Sequence, residues 1–339
     1  MRIAILGTGG IALGYAALLD KVGHSTVLYS LSGKSASLLN NQMIDVSGAF
    51  EHQFQARCVA DISEALNDAE AIIVATTANH HAAMFDQVVP HICVSQHILI
   101  SAELSLSADH LEKQLAKANK IIPVTALSST ILTGRRIGNE AVKIGLMRKV
   151  SKAATTSAAA QDAEIAFWQS IFGEIIQSAP SRLWLAFSNL NPTVHVGNAM
   201  LNFTRIEKGE DWGNFDGMTA GVGALTEALD QERCKVAAAY DVSVTPLLDQ
   251  YQANFDFKVG TGLAEMAKEL HIRRGGLPKG PRDPSTRYIT EDIPFGTCFI
   301  ETYAKKRGIS TPLHSAAIDI VSAIYGRDFR TENKFGNDP

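Results

Sequence analysis

The chain has 339 residues, of which 46% are hydrophobic and 19% are charged, and its formal net charge is −4. This length suits two domains, and the composition is that of an ordinary soluble globular protein. The small negative charge argues against nucleic-acid or membrane partners, and no apolar run approaches the roughly 20 residues of a membrane span. The cysteines include no CxxC pair, which favours reduced thiols and a cytoplasmic location.

The N-terminal segment has the pattern of a nucleotide-binding strand, turn and helix. Arg2–Leu6 is a short apolar run typical of a buried parallel strand, and residues 13–22 are predicted to be helical. A second strand is predicted over Ser25–Tyr29. Between the first strand and the helix lies a G-x-G-x-x-A motif, which we predict to bind a dinucleotide: Gly7, Thr8, Gly9, Gly10, Ile11 and Ala12.

The motif has a specific physical logic. Gly7 permits a tight turn, Gly9 lets the backbone approach a pyrophosphate, and Ala12 is small enough for the helix to pack on the strand. The free N–H groups of the helix N-terminus would then face the phosphates. A glycine-rich turn without a ligand is the alternative, but the flanking strands and helix favour the dinucleotide site.

The end of the second strand favours NADP over NAD. An NAD-preferring site usually places Asp or Glu here, on the ribose hydroxyls. This chain instead has Ser30, Ser32 and Lys34, and hydroxyls with a cation suit a 2′-phosphate. The alternative is a solvated loop in an NAD enzyme.

Strands and helices continue to alternate through the first half. Strands are predicted at 71–76, 98–102 and 121–125, helices at 62–67, 81–91, 108–119 and Gln161–Phe172, and alternating character at 141–150. This order predicts a parallel, doubly wound Rossmann domain whose ligand lies at the carboxyl ends of the strands. Thr76, Thr77 and His80 follow one such end and are predicted to line the nicotinamide side. Because the neighbouring residues His80 and His81 would point in different directions on a helix, we expect no metal site there.

After residue 178 the pattern becomes helical. We therefore predict a Rossmann domain over 1–178 and an all-α C-terminal domain over 179–339. The helical patterns of the second domain cover 194–203, 217–240, 244–255, 261–269, 297–307 and Pro312–Tyr325. The basic, glycine- and proline-rich stretch 271–282 is predicted to be a mobile loop, either a lid that meets an acidic substrate or a solvated loop.

Two polar segments of the helical half carry side chains suited to carbonyl or imine chemistry. His195 follows a proline-marked turn that begins at Asn191, and imidazole can donate or accept a proton near neutral pH. Arg287 and Asp292 lie five positions apart, on a segment that ends in proline and glycine. A carboxylate can orient a histidine, and a guanidinium can hold a substrate carboxylate through two hydrogen bonds. The alternative is a structural histidine and a surface ion pair, but the nucleotide motif favours catalysis.

These segments resemble the signatures of the opine dehydrogenases, the octopine/nopaline dehydrogenase family. Residues 188–195 are similar to the family's Asn-Pro-x-x-His segment, residues 287–296 to its second signature, and residues 326–330 to its C-terminal segment. With the nucleotide motif, the resemblance spans nearly the whole chain. The chain departs from the family at Val196, where members often have proline.

The resemblance implies a reversible reductive condensation of an amino acid with a 2-oxo acid, in which NAD(P)H reduces the imine to a secondary amine dicarboxylate. By this similarity His195 is the general acid/base, Asp292 its partner, and Arg287 and Asn191 are substrate-binding residues. An NADP-dependent reductase of a simple 2-oxo or 3-hydroxy acid is an alternative, and a non-catalytic NADP-sensing protein is another. A homodimer is compatible with the sequence but not indicated by it.

Overall fold

The structure is a computed structural model that describes residues 1–335. The chain forms two compact units, Met1–Ala186 and Phe187–Pro339. The first is an α/β unit of the Rossmann type, and the described part of the second is helical, which confirms the predicted fold class. Among residues 1–335, no helix is both long and apolar enough to cross a membrane.

The strands of the first unit are β1 (Arg2–Leu6), β2 (Ser25–Tyr29), β3 (Met43–Gly48), β4 (His52–Gln55), β5 (Cys58–Val59), β6 (Ala71–Val74), β7 (His97–Ile100), β8 (Val124–Leu127), β9 (Leu132–Ile137), β10 (Ala141–Met147), β11 (Ser151–Thr155) and β12 (Ile176–Ser178). Its helices are α1 (Gly10–Lys21), α2 (Lys34–Leu39), α3 (Ile62–Leu66), α4 (His81–Val88), α5 (Ser107–Lys117) and α6 (Gln161–Phe172).

The main sheet has the strand order β12-β11-β8-β7-β6-β1-β2-β5. Strand β1 lies near its centre, with β2 and β6 parallel on either side. Both faces of β1 are covered, because Ile3 and Ile5 pack into one apolar cluster while Ala4 and Leu6 pack into another. This two-sided burial explains why the strand is a continuous apolar run. Strand β11 differs from the predicted parallel arrangement, since it runs antiparallel to β8.

A second sheet was not predicted. Strands β4-β3-β10-β9 form it, and of these the sequence indicated only the alternating character near β10. Helix α1 lies between the two sheets: Gly10 packs on Gly134 of β9, and Gly14 packs on Leu132. The helix is therefore buried along most of its length.

One predicted strand is displaced. The pattern at 121–125 predicted a strand, but β8 begins at Val124, and the side chain of Ile121 is exposed. The intervening Pro123 has no backbone N–H to donate to a neighbouring strand, so the ladder begins after it.

Helix α7 (Arg182–Ser188) spans the boundary between the two units. The second unit then contains α8 (Asn191–Leu201), α9 (Phe203–Glu207), α10 (Ala220–Ala238), α11 (Leu247–Phe255), α12 (Leu263–Arg273), α13 (Arg287–Thr290), a π-helical turn at Ile293–Thr297, α14 (Cys298–Lys306) and α15 (Pro312–Tyr325). Part of the predicted loop at 271–282 is helical, because α12 continues to Arg273. The remainder of the stretch is hydrogen-bonded to Trp212, which lies before α10. Gly280 N donates to Trp212 O at 2.9 Å, and Trp212 Nε1 donates to Pro281 O at 3.0 Å.

The C-terminal segment is attached to α14 through one buried carboxylate. Glu301 accepts hydrogen bonds from Nε and Nη2 of Arg330, both at 2.7 Å, and from Ser315 Oγ at 2.7 Å. Lys305 Nζ lies 2.9 Å from the same carboxylate. Burial opposes ionisation, but these donors outweigh it and lower the pKa of Glu301 from 4.5 to about 2.

Replacing Glu301 with Gln should lower the melting temperature at pH 7 and flatten its dependence on pH. The folded-state pKa is depressed, so the carboxylate stabilises the fold fully above pH 4.5, and this stabilisation is lost as the pH falls towards 2. Thermal melts from pH 7 to 2 measure both effects. Glu210→Gln, which removes an exposed partner of Arg205, is the control and should change little. Equal pH slopes for Glu301→Gln and the unmodified protein would contradict the linkage.

Candidate active site

Helix α8 presents Asn191 and His195 on one face. The helix begins at Asn191 with Pro192 in its first turn, where the missing N–H of proline has no cost. Residues four apart lie on the same side of a helix, so Asn191 and His195 are neighbours along its surface. Asn191 is exposed, whereas the side chain of His195 is only 12% exposed.

A hydrogen bond joins the two residues of the predicted catalytic pair, His195 and Asp292. Nδ1 of His195 donates to Oδ2 of Asp292 at 2.8 Å. Asp292 is 1% exposed, and its Oδ1 is buried without a hydrogen-bond partner among residues 1–335. Because the carboxylate holds the proton on Nδ1, the Nε2 atom of the neutral ring is left as an acceptor, and the imidazolium can donate from it.

The contact between Gly296 and Pro192 brings these residues together. Gly296 lies in the π-helical turn that follows Asp292, and a Cβ built on it would lie 2.2 Å from Cβ of Pro192. Only a residue without a side chain allows this approach. The proline and glycine that punctuate the two sequence segments therefore pack on each other, which places Asp292 beside His195.

Replacing Gly296 with Ala should destabilise the protein by about 1–3 kcal/mol, the usual cost of overpacking a core. The proline ring cannot move aside as a flexible side chain would. Urea unfolding measures the change. Gly221→Ala in α10 is the matched control, because a Cβ there meets nothing within 4 Å. It should leave the stability unchanged or raise it by up to about 1 kcal/mol. Similar stabilities for the two variants would rule out the proposed constraint.

The sequence analysis missed an aromatic ring that stacks on the histidine. The ring of Tyr288 lies parallel to that of His195, with centroids 3.7 Å apart and an interplanar angle of 6°. Its hydroxyl donates to Oδ1 of Asn214 at 3.3 Å. Asn198 Nδ2 donates to O and Oδ1 of Asn214 at 2.9 and 3.0 Å, and Asn202 Nδ2 donates to O and Oδ1 of Asn198 at 2.9 Å.

This buried asparagine chain continues the polar face of α8. A detectable signal was the spacing of Asn191, His195, Asn198 and Asn202, which repeats every three or four residues along one side of an otherwise apolar helix. Burial raises the pKa of Tyr288 to about 12, so its phenol stays protonated near neutral pH. Tyr288 is thus a fixed hydrogen-bond donor and a stacking surface for His195.

Arg287 lies close enough to Asp292 for the two charges to interact. Its side chain is half exposed, and Nη1 donates to Oε2 of Glu291 at 3.2 Å. Partial burial opposes the charge, but Asp292 and Glu291 outweigh that effect and hold the pKa of Arg287 above its ordinary value. Among residues 1–335 the other guanidinium nitrogens have no hydrogen-bond partner, so they remain available to an anion.

The first unit forms the nucleotide turn predicted from the sequence. Gly7 has φ of +137°, and a Cβ on it would lie 2.5 Å from the carbonyl oxygen of Ala75. Gly9 is the N-cap of α1 and faces open space, since a Cβ there would meet nothing within 4 Å. The helix start is thus unobstructed and has no side-chain cap. These features fit a pyrophosphate, which Gly9 and the helix N-terminus would hold.

The segment after β6 lies beside this turn, because the carbonyl of Ala75 is the atom that closely approaches Gly7. Thr77 Oγ1 lies 2.9 Å from Nδ1 of His80, and Nε2 of His81 lies 3.1 Å from O of Thr76. Thr76, Thr77 and His80 are therefore held next to the nucleotide turn.

The segment after β2 is divided between buried and exposed positions. Ser30 is 3% exposed, and its hydroxyl accepts a hydrogen bond from Ser35 N at 3.2 Å. Ser32 and Lys34 are exposed, and Lys34 is the first residue of α2. No acidic side chain occupies positions 30–35.

Arg136 is a cation at the nucleotide turn that the sequence analysis did not select. Its Nη1 atom donates to O of Thr8 at 3.2 Å and to Oγ of Ser35 at 3.4 Å. Its other hydrogen bonds go to O of Gly138 and Oδ1 of Asn139, so all four acceptors are neutral. No local signal marks this residue, because β9 belongs to the unpredicted second sheet. A guanidinium without a carboxylate partner, placed between the turn and α2, suits a phosphate.

Comparison with known proteins identifies both units. Residues 178–325 match a family model described as NAD/NADP octopine/nopaline dehydrogenase, alpha-helical domain. Residues 3–149 match the model of ketopantoate reductase PanE/ApbA. The chain is 24% identical over 336 residues to the opine dehydrogenase of Arthrobacter sp. (strain 1C). This alignment covers 98% of this chain and 92% of the relative.

Solved structures share the fold. Octopine dehydrogenase with NADH and L-arginine is similar over 96% of this chain and 90% of its own, with 16% identity and a TM-score of 0.75. The structure of the same enzyme with NADH and pyruvate is similar over 96% of this chain and 89% of its own, with 15% identity and a TM-score of 0.71. Yersinopine dehydrogenase with NADP+ covers 96% and 92%, with 15% identity and a TM-score of 0.75.

Proposed function

We propose that this chain, which belongs to the opine dehydrogenase family, condenses an amino acid with a 2-oxo acid and reduces the resulting imine to a secondary amine dicarboxylate. The observation that carries the proposal is the 2.8 Å hydrogen bond between His195 and Asp292, beside a guanidinium with free donors. Held by the nucleotide turn at Gly7 and Gly9 and by the start of α1, a nicotinamide cofactor would supply the hydride that reduces the imine carbon. The overall change consumes an amine, a carbonyl, NAD(P)H and a proton, and releases the opine, NAD(P)+ and water.

His195 would act as the general acid and base of this reaction. When the amine attacks the carbonyl carbon, the oxygen must be protonated before it can leave as water. The Nε2 atom of protonated His195 can donate that proton, because Nδ1 is engaged with Asp292. In the reverse direction the neutral ring accepts a proton from the water that adds to the imine. Asp292 fixes the ring and stabilises its charged form.

Arg287 would hold a substrate carboxylate. A guanidinium binds a carboxylate through two parallel hydrogen bonds, and the nitrogens of Arg287 that do not contact Glu291 provide the donors. Held in this way, the 2-oxo acid would have its carbonyl carbon positioned near the imidazole. Asn191, on the same face of α8 as His195, offers an amide to the same substrate.

The nearest rival is a reductase of a simple 2-oxo or 3-hydroxy acid, which the ketopantoate reductase match over 3–149 favours. The deciding assay follows NADPH absorbance with pyruvate, with and without a pool of amino acids. Oxidation that requires both substrates supports the condensation. Oxidation with pyruvate alone supports the simple reductase, and NADPH binding without turnover of any tested pair supports a sensor.

Replacing His195 with Ala should lower kcat/KM by roughly 10²–10⁴-fold, the usual contribution of a general acid or base. NADPH affinity should stay nearly unchanged, because the nucleotide turn lies in the first unit. Asp292→Asn should also be slow, since the ring loses its orienting charge. His91→Ala, at an exposed position of the first unit, is the control. A His195→Ala variant with more than about half of the original activity would remove this residue from the mechanism.

We further propose that the cofactor is NADPH rather than NADH. Arg136 has only neutral acceptors, and Lys34 is exposed at the start of α2, so both can meet a 2′-phosphate. Arg136→Met should therefore weaken NADPH binding by roughly 10- to 100-fold more than NADH binding. Fluorescence titrations with both nucleotides measure the ratio. Arg135→Met, one residue along β9 and on its opposite face, is the control. Equal losses for the two nucleotides would show that Arg136 only braces the turn.

A further inference from the structure

We infer that Arg274 is a second carboxylate anchor, which grips the carboxylate of the amino-acid substrate and makes the enzyme select amino acids over simple amines. The inference rests on the proposed condensation, because that reaction brings together two substrates that each carry a carboxylate. Arg287 can hold only one of them in a two-pronged geometry. The carboxylate of the other substrate therefore needs hydrogen-bond donors of its own, and a second guanidinium would supply them.

Aromatic rings hold the guanidinium of Arg274. This residue caps the C-terminal end of α12 and is exposed. Its Cζ atom lies 5.2 Å from the ring centroid of Phe215 and 5.0 Å from that of Phe255. Among residues 1–335 its side chain has neither an ion-pair nor a hydrogen-bond partner. Ring faces fix a guanidinium without consuming its N–H donors, so all five remain available for a carboxylate.

One of the rings that hold Arg274 is connected to His195 through a series of contacts. Phe215 follows Asn214, whose side chain accepts the hydroxyl hydrogen bond of Tyr288, the ring stacked on His195. Phe215 also packs in one apolar cluster with Val194, the residue before His195. The path from the free guanidinium to the imidazole thus passes through directly packed or sequence-adjacent residues.

Tyr251 gives a second connection. Its ring packs edge-on against Phe255 with centroids 5.4 Å apart. Burial raises the pKa of Tyr251 to about 12, with a further increase from Tyr288 and an opposing effect from Arg274. Tyr251 therefore lies within electrostatic reach of both Tyr288 and Arg274.

Two other arginines of the helical unit are already engaged. Arg273, the preceding residue, pairs with Glu269, donates to O of Phe255 at 2.9 Å and stacks on Phe257. Arg233 is fully buried and pairs with Asp230. Arg274 thus differs from both in keeping its charge without a carboxylate partner in the described part of the chain.

The test compares Arg274→Met with Arg273→Met. Methionine retains an unbranched side chain over the aromatic rings but has no charge. Arg273→Met is the matched control, because it removes a guanidinium from the same end of the helix. That guanidinium is already engaged in contacts within the protein. Both variants are assayed with NADPH, pyruvate and three amine pairs, each an amino acid and its decarboxylated amine: L-arginine and agmatine, L-leucine and isoamylamine, and L-phenylalanine and phenethylamine.

For the amino acid that the unmodified enzyme uses best, Arg274→Met should raise KM by roughly 10- to 100-fold, the usual effect of losing a charge-assisted pair. The KM for pyruvate and the dissociation constant of NADPH should stay within about twofold. For the matching decarboxylated amine, kcat/KM should be the same in Arg274→Met as in the unmodified enzyme, because this amine has no carboxylate for Arg274 to bind. Arg273→Met should not produce this discrimination.

Three results would overturn the inference. These are an unchanged KM for the amino acid, an equal loss for the amino acid and its decarboxylated amine, and a loss confined to pyruvate. Unmodified enzyme that oxidises NADPH with pyruvate alone, or with no pair at all, would instead overturn the proposed condensation, and the inference with it. The two failures are therefore distinguished before any variant is compared.

Discussion

The candidate site depends on a carboxylate that is buried almost completely and yet only half satisfied. Asp292 uses one oxygen to hold His195, while its other oxygen has no hydrogen-bond partner among residues 1–335. A buried acceptor left in this way costs about 1–3 kcal/mol, so the surrounding packing must hold the carboxylate in place. The rest of the helical unit keeps the carboxylate in place, since Gly296 packs on Pro192 and Tyr288 stacks on the imidazole.

The buried asparagines explain how a stacked ring can be held at a fixed position. Asn202, Asn198 and Asn214 form a continuous hydrogen-bonded chain that ends at the hydroxyl of Tyr288. Polar side chains inside an apolar unit are tolerated when their donors and acceptors are paired, and such networks favour one arrangement over its alternatives. The ring therefore limits the rotation of His195, while Asp292 fixes its tautomer.

The nucleotide unit follows a different principle, because its site is made of backbone rather than of side chains. Gly7 and Gly10 permit close approaches to Ala75 and Gly134, and Gly9 leaves the start of α1 open. The second sheet covers the outer side of α1 and brings Arg136 to the turn. One helix is thus held on both sides while its N-terminal end stays accessible.

The sequence by itself determined the features that are written in local patterns. The periodicity of apolar residues predicted β1, β2, α6 and α15 with their bounds, and the glycine motif predicted the turn between β1 and α1. The segments around His195 and Arg287 stood out because proline and glycine punctuate them. The tertiary structure alone decided the second sheet, since β3 and β10 lie far apart in the chain and their pairing depends on long-range register. It also decided which side chains meet: His195 and Asp292 are 97 positions apart, and the placements of Tyr288, Arg136 and Arg274 depend on packing between elements that no local pattern specifies.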